Sequence, residues 1–151
     1  IQGIGMLGHI DNIDSRLRDL KEYRLWEGIM HRCYGCNYEE RNSTYKDVFV
    51  EERWHRFDYF LEDVKYIKNY NMWVKFKTDF PNIKNIFEFD KDILFENNKV
   101  YSRDTCMFIP KFINAAYTCS TGNKVKSELK KELEDATYES IINEAKIRKL
   151  L

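Results

Sequence analysis

Hydrophobic residues recur at helical spacing in three stretches of the chain. The first helix is predicted over residues 22–32, where apolar side chains follow the i, i+3, i+4 spacing of one helix face. Its stripe consists of Leu25, Trp26, Ile29, Met30 and Cys33. A second helix is predicted over residues 52–68, with a stripe of Trp54, Phe57, Phe60, Leu61, Val64 and Ile67. The charged tail, residues 123–151, has the same spacing, and Asp135 or Thr137 is a candidate N-cap within it.

A hairpin is predicted in the middle of the chain. Residues 86–94 alternate between apolar and polar positions as a strand does, and residues 96–99 form a polar turn. Val100–Tyr101 is the second extended piece of this predicted hairpin. Pro110 suits the first position of a helix that runs to about Tyr117, because its missing N–H is not needed there.

The remaining segments of the middle region are less regular. Val48 and Val50, on either side of Phe49, favour a short strand within residues 45–51. Residues 69–85 are aromatic but aperiodic and contain a proline, so we predict a long loop there. The pattern by itself therefore predicts a chain of mixed helices and strands with one hairpin.

The length and composition support one domain with a buried core. The chain has 151 residues, of which 43% are hydrophobic, with ten Tyr, ten Phe and three Trp, and this excludes disorder throughout. No apolar run is long enough to span a membrane, and the first residues lack the features of a signal peptide. Residues 1–14 are predicted to be an irregular N-terminal segment. Because the chain begins with Ile1 and not with Met, we expect it to be a fragment.

The charges are balanced, with 25 Lys+Arg against 25 Asp+Glu. Most nucleic-acid-binding proteins carry a basic excess, so this balance argues against a broad electrostatic footprint. A basic patch must therefore be assembled by folding. Lys91, Lys99, Arg103 and Lys111 fall within one predicted hairpin–helix unit and are candidate phosphate contacts. The acidic half of the charge leaves surface for a protein partner.

The cysteines fit a metal site only in part. Cys33-x-x-Cys36 has the spacing of the first half of a structural Zn²⁺ site, in which both thiolates reach one tetrahedral ion. Cys106 and Cys119 have twelve residues between them, which is the wrong spacing for the second half. We prefer to interpret Cys33 and Cys106 as core residues, because both adjoin apolar positions. The histidines match no zinc-protease frame: they are His9, His31 and His55.

The densest polar constellation lies on the first predicted strand. Asp90 and Asp92, two positions apart, are expected to project from the same side of that strand, with Lys91 between them. A helix packed across the hairpin is expected to bring Asn114 toward them. Carboxylate and amide oxygens suit Mg²⁺, which prefers one or two carboxylates plus water and substrate phosphate. The alternative interpretation is a solvated hairpin edge.

An ordered series of short motifs runs through residues 4–117. Downstream it comprises Phe89-Asp90-Lys91-Asp92-Ile93-Leu94, Asn98-Lys99-x-Tyr101-Ser102-x-x-Thr105-Cys106 and Phe108-Ile109-Pro110-x-x-Ile113-Asn114. Upstream it comprises Tyr23-x-Leu25-Trp26-x-Gly28-x-Met30-x-Arg32-Cys33-Tyr34 and Ser43-x-Tyr45-Lys46-x-Val48. The series resembles phage-encoded HNH-like proteins related to the His-Me finger (ββα-metal) nucleases. The resemblance implies an α+β fold: an HNH-like β-hairpin plus helix core within residues 15–118, with additional N-terminal helices and a C-terminal helical tail.

The resemblance also implies roles for individual residues. In such a nuclease, a hairpin and a helix hold one divalent cation, and a histidine activates the attacking water. Asp90 falls at the acidic position of the Asp-His pair, Lys91 at the position of the histidine, Asn98 in the turn and Asn114 on the helix. Together with Asp92 these are the catalytic candidates, and Asp90, Asp92 and Asn114 are the expected ligands of Mg²⁺ or Mn²⁺. A lysine with an ordinary pKa of about 10.4 is cationic at neutral pH and does not accept a proton.

We therefore expect a nucleic-acid-binding protein, with DNA as its target, whose metal-dependent endonuclease activity is weak or absent. The resemblance to phage proteins implies the cytoplasm of an infected host cell as its location. The alternative is an effector that binds a host protein. The aromatic side chains of residues 70–80 favour such an interface, because aromatic anchors dominate binding hot spots.

Overall fold

The computed structural model describes residue 5, residues 15–35 and residues 46–151. Within them the chain has an α+β fold with two-stranded sheets. The helices are α1 (Lys21–Tyr34), α2 (Phe57–Val64), α3 (Tyr70–Asp79), α4 (Lys111–Cys119), α5 (Asn123–Asp135) and α6 (Tyr138–Ile147). The strands are β1 (Phe49–Val50), β2 (Phe87–Asp90), β3 (Val100–Tyr101) and β4 (Met107–Pro110). Short 3₁₀ helices occupy Ser15–Asp19 and Glu52–His55.

The chain divides into two compact units, each assembled from two separate stretches of sequence. The first unit consists of the chain up to Ile67 together with Asn97–Cys106. The second unit consists of Lys68–Glu96 together with Met107–Leu151. No helix of the described residues is long and apolar enough to cross a membrane. Except for Gly5, the predicted irregular segment at 1–14 lies outside the described residues.

Helix α1 confirms the helix predicted over residues 22–32 and supplies one side of the first unit's core. Its buried Trp26 has its ring centre 5.3 Å from that of Phe57, at the start of α2. The indole Nε1 of Trp26 donates a hydrogen bond of 2.7 Å to the carbonyl of Trp54. A buried donor is therefore satisfied inside an aromatic core. The predicted helix at 52–68 is confirmed in part, as the 3₁₀ helix Glu52–His55 followed by α2.

The predicted hairpin between residues 86–94 and Val100–Tyr101 is wrong. β3 pairs in parallel with β1 in the first unit, with Phe49 opposite Val100 and Val50 opposite Tyr101. β2 pairs instead with β4, antiparallel, in the second unit. All four residues of β4 are buried. Burial of this apolar strand on both faces stabilises the distant pairing more than the nearby polar turn favours the local one.

One face of the β2–β4 sheet is aromatic and packs against α3. The ring of Phe108 lies 4.8 Å from that of Trp73 and 6.0 Å from that of Tyr70, and the ring of Phe76 lies 6.2 Å from that of Phe87. The long loop predicted over residues 69–85 is therefore wrong for its first part, which is α3. Trp73, Phe76 and Phe80 follow helical spacing, and burying these rings against the sheet stabilises the helix.

The other face of the β2–β4 sheet packs against α4 and α5. The apolar cluster on this side consists of Ile93, Met107, Ile109, Ile113, Tyr117 and Leu133. Helix α6 then begins with a capping box, in which Thr137 Oγ1 accepts from the N–H of Ser140 and the Ser140 hydroxyl accepts from the N–H of Thr137. This confirms Thr137 as the N-cap, and it places the helices of the tail within the second unit.

Candidate nucleic-acid interface

The predicted catalytic residues begin where β2 ends, at Asp90. Its Oδ2 accepts hydrogen bonds from the backbone N–H groups of Asp92 at 2.8 Å and Ile93 at 2.7 Å. Burial raises the pKa of the Asp90 carboxyl, although these two donors oppose the shift. The carboxylate therefore closes the turn after the strand, as Asp side chains commonly do.

Lys91 stands at the position that the resemblance gives to histidine. It is only 6% exposed, and its Nζ donates to both carboxylate oxygens of Asp92, at 2.9 and 2.8 Å. A buried ammonium is stable when a carboxylate pairs with it. Lys91 therefore holds Asp92 in place, and its charge is largely balanced before any phosphate approaches.

The acidic pair on one face of β2 differs from the expected one. Asp92 lies beyond the end of the strand, so Glu88 and Asp90 are the two carboxylates that share a strand face. Asn114 on α4 reaches that face, where its Nδ2 donates to Glu88 Oε1 at 2.5 Å. The helix thus brings the predicted amide to the strand, onto a carboxylate that the sequence analysis did not single out.

In this arrangement the side chains of Asp90, Asp92 and Asn114, the expected metal ligands, do not fit a Mg²⁺ or Mn²⁺ site. Asp90 Oδ2 accepts two N–H groups, both Asp92 oxygens accept from Lys91, and the amide of Asn114 is bonded to Glu88. A divalent cation would have to displace the Lys91 ammonium from Asp92. Among the described residues, no group of three or more His, Cys, Asp or Glu side chains is placed to hold a metal ion.

The cysteine pair weighed as a Zn²⁺ site is described only in part. Cys36 lies outside the described residues. Cys33 and Cys106 are buried and Cys119 is exposed. Burial of the first two is the arrangement expected of core cysteines.

Two further predicted site residues, Asn98 and Lys99, belong to the first unit. The Asn98 side chain accepts from the N–H of Val100 at 3.1 Å and donates to its carbonyl at 2.6 Å, which shapes the entry into β3. Lys99 Nζ donates to the carbonyl of Lys46 at 3.2 Å, and its side chain is exposed. Asn98 therefore has a local backbone role, while Lys99 keeps a solvent-facing charge.

Arg103 also belongs to the first unit, in a neighbourhood with several carboxylates. Its Nη1 lies 3.7 Å from Asp63 Oδ1, and its backbone N–H donates to Glu51 Oε1 at 3.2 Å. Its guanidinium carbon lies 4.7 Å from the ring centre of Tyr66, which is 72% exposed. Because the nearby carboxylates offset its charge, Arg103 does not by itself create a positive patch.

Lys111 lies in a different electrostatic environment, at the first position of α4 in the second unit. Its backbone N–H donates to the carbonyl of Ile86 at 2.8 Å, while Lys77 Nζ on α3 lies 3.4 Å from the carbonyl of Ile83. Lys84 lies between these two attachment points. Lys77 and Lys84 therefore lie at the segment 83–86 to which the backbone of Lys111 is hydrogen-bonded, next to the N-terminal end of α4, which carries the positive end of the helix dipole.

The pKa of Lys111 reports this crowding of positive charge. Burial lowers the pKa, the ammonium groups of Lys84 and Lys77 lower it further, and the carboxylate of Glu88 opposes them. In the environment of the Lys111 ammonium, the charges of Lys84 and Lys77 thus act against that of Glu88. We call Lys77, Lys84 and Lys111 the lysine cluster; with Glu88 and Asn114 beside it, it is the candidate site.

Sequence analysis identified Lys111 and Asn114 but not the other members of this site. Lys77 and Lys84 lie in the segment that was predicted to be a loop, and Glu88 lies two residues before the acidic motif. The helical spacing of Trp73, Phe76 and Phe80 is the signal that would have placed Lys77 on a helix. The position of Lys84 depends on the β2–β4 pairing, which no local pattern indicates.

Comparison of the chain with protein-family models, with curated proteins and with solved structures finds no match.

Proposed function

We propose that this protein binds nucleic acid, with DNA as the expected target, through phosphate contacts at the lysine cluster. The observation that carries the proposal is the placement of Lys77 and Lys84 at the segment to which the Lys111 backbone is hydrogen-bonded, close enough to the Lys111 ammonium to lower its pKa while Glu88 opposes them. Three ammonium groups beside a helix N-terminus repel one another, and a phosphate placed among them relieves that repulsion.

The neutral net charge agrees with a phosphate contact made by three lysines only, because so small a cluster needs no basic excess over the whole chain. Lysines bind phosphates as point charges without reading bases, so the cluster supports positioning on a backbone more than sequence specificity. A small cluster implies modest affinity and a small number of released counterions. The resemblance to HNH-like proteins supports DNA as the target, while the pairing of Lys91 with Asp92 favours weak or absent cleavage.

The test is the salt dependence of binding to a labelled DNA duplex, measured by fluorescence anisotropy from about 50 mM to about 200 mM salt. Replacing all three cluster lysines by alanine is expected to weaken binding at low salt and to reduce the salt slope by about one unit per lysine. The matched control replaces three exposed lysines elsewhere in the second unit, Lys124, Lys131 and Lys146, by alanine.

The two triple variants remove the same net charge, so their comparison separates a local site from general attraction. The proposal requires the cluster variant to lose more affinity than the control. Equal losses in both variants, or no binding of the unmodified chain at low salt, would contradict it.

A further inference from the structure

A groove in the second unit lies among α4, α5 and α6, and it has a volume of about 450 Å³. Its apolar lining includes Phe112 and Ile113 from α4 and Ile141 from α6. Its charged lining is entirely acidic within the described part of the chain, and consists of Glu132, Asp135 and Glu144. An apolar surface beside carboxylates is complementary to a ligand that is both apolar and cationic.

The chain's own Arg148 indicates which cation this lining accepts. Its Nε donates to Glu144 Oε1 at 2.7 Å, and its guanidinium carbon lies 4.8 Å from the ring centre of Phe112. A carboxylate next to an aromatic face combines a charge-assisted hydrogen bond with a cation–π contact, and arginine suits both. One part of the lining is therefore already used to bind a guanidinium.

Among the described residues, the other two carboxylates of the groove have no such partner. Within the residues that the structure describes, neither Glu132 nor Asp135 forms an ion pair. Both lie in the last turn of α5, which contains no basic residue. The negative end of the α5 dipole adds to their charge, so this part of the groove is negatively charged.

We propose that the groove binds a basic amphipathic segment of a protein partner. Apolar side chains of that segment lie against the partly exposed Phe112 and Ala136, with the buried Ile113 and Ile141 as the floor of the groove, and its arginines pair with Glu132 and Asp135 in the way that Arg148 pairs with Glu144. This is the helix-in-groove mode of peptide recognition, with acidic residues selecting a basic ligand. The same carboxylates repel a phosphate backbone, so the groove and the lysine cluster serve different partners, and this inference does not depend on the proposed nucleic-acid binding.

The experiment uses the full chain and a fluorescein-labelled peptide of about 16 residues, with leucines and arginines repeating at i, i+4 spacing so that it forms one amphipathic helix. The comparison peptide keeps every leucine and replaces every arginine by glutamate. We expect the arginine peptide to bind, the glutamate peptide to fail, and the affinity of the arginine peptide to fall as salt is raised.

The groove variant combines Glu132→Gln with Asp135→Asn, which removes two charges with little change of shape. Its matched control combines Glu128→Gln on α5 with Glu139→Gln on α6, two exposed acidic residues that do not line the groove. The groove variant is expected to weaken peptide binding by about tenfold, a loss within the range for charge pairs at an interface, while the control changes it little.

Several outcomes would overturn the inference. They are equal weakening by the two double variants, equal binding of the two peptides, and no binding of the arginine peptide at low salt. A second copy of the chain as occupant would also overturn it; sedimentation would then show a dimer that the groove variant dissociates. Circular dichroism of each variant checks that the helices of the second unit are retained.

Discussion

The side-chain amide of Asn114 on α4 donates a hydrogen bond to Glu88 on β2, with 2.5 Å between Nδ2 and Oε1. This contact joins the helix of the candidate site to the strand beside it, and both residues are half-buried. We expect Asn114→Ala to lower the free energy of unfolding by about 1–2 kcal/mol, because Glu88 loses a donor in a partly desolvated position. Urea denaturation followed by circular dichroism measures the loss.

The control for this prediction is Asn143→Ala, the same substitution at an exposed position of α6 in the second unit. Its effect is expected to stay within about 0.5 kcal/mol, as for most surface substitutions. If the two variants are equally stable, the Asn114–Glu88 contact does not stabilise the second unit.

Asp63 is expected to stabilise the first unit at neutral pH and to lose that effect in acid. The carboxylate is buried and accepts hydrogen bonds from Arg53 Nε at 2.8 Å and from the indole N–H of Trp54 at 3.0 Å. Burial alone raises the pKa of Asp63, but the hydrogen bonds from Arg53 and Trp54 outweigh it, so the pKa lies below its ordinary value. A lowered folded pKa contributes stability above the unfolded pKa, about 3.9, which is lost as the pH falls through the folded value.

The measurement compares the unmodified chain with Asp63→Asn by urea denaturation at several pH values. At pH 7 the variant is expected to be less stable by about 1–3 kcal/mol, and the difference is expected to shrink as the pH falls toward 3. Glu52→Gln, at an exposed position of the same unit, serves as the control. A difference that is constant from pH 7 to pH 3 would show that ionisation of Asp63 is not linked to folding.

Asp90 is expected to show the opposite pH dependence. Burial raises the pKa of this carboxyl above its ordinary value. A raised folded pKa gives a contribution that is present below the unfolded pKa and is lost as the pH rises through the folded one. The stability of Asp90→Asn, measured relative to that of the unmodified chain at the same pH, is therefore expected to be greater at pH 7 than at pH 4. The reason is that the amide keeps an acceptor oxygen without a buried charge. Paired denaturation curves at the two pH values test the sign, and the reverse order would contradict it.

Cleavage of supercoiled plasmid with Mg²⁺ or Mn²⁺ is expected to be weak or absent. Lys91 holds Asp92, and Asp90 holds two backbone N–H groups, so neither carboxylate is arranged for a metal. The assay is conversion to nicked circles on a gel, with Asp90→Ala as the comparison. Metal-dependent nicking that disappears in Asp90→Ala would show that these residues rearrange to bind the cation and that the protein is a nuclease.

Local patterns in the sequence correctly predicted the elements whose formation depends on nearby residues. Helix α1, the helices of the tail and the Thr137 cap followed from spacing and capping residues, because each depends on neighbours within a few positions. The partner of β2 did not follow, since β4 begins seventeen residues after β2 ends and is chosen by burial. Helix α3 was missed because its stripe is short and its rings need the β2–β4 sheet to cover them.

The candidate site likewise contains some residues that the sequence identified and others that depend on tertiary packing. Lys111 and Asn114 were identified because both follow Pro110, which marks the start of a helix in the sequence. Lys77 and Lys84 reach the site through α3 and the segment after it, so their contribution depends on tertiary packing. The role of Glu88 depends on its contact with Asn114, which forms only when α4 packs against β2.

The division of the chain into two discontinuous units has a consequence for its synthesis and dissection. The first unit lacks β3 until Asn97–Cys106 has been made, although most of its residues precede Ile67. During synthesis on the ribosome, β1 therefore cannot pair with β3 until α3 and β2 have been translated, because β3 follows them in the chain. A cut at residue 67 separates β1 from β3, so no single cleavage of the chain releases either unit intact.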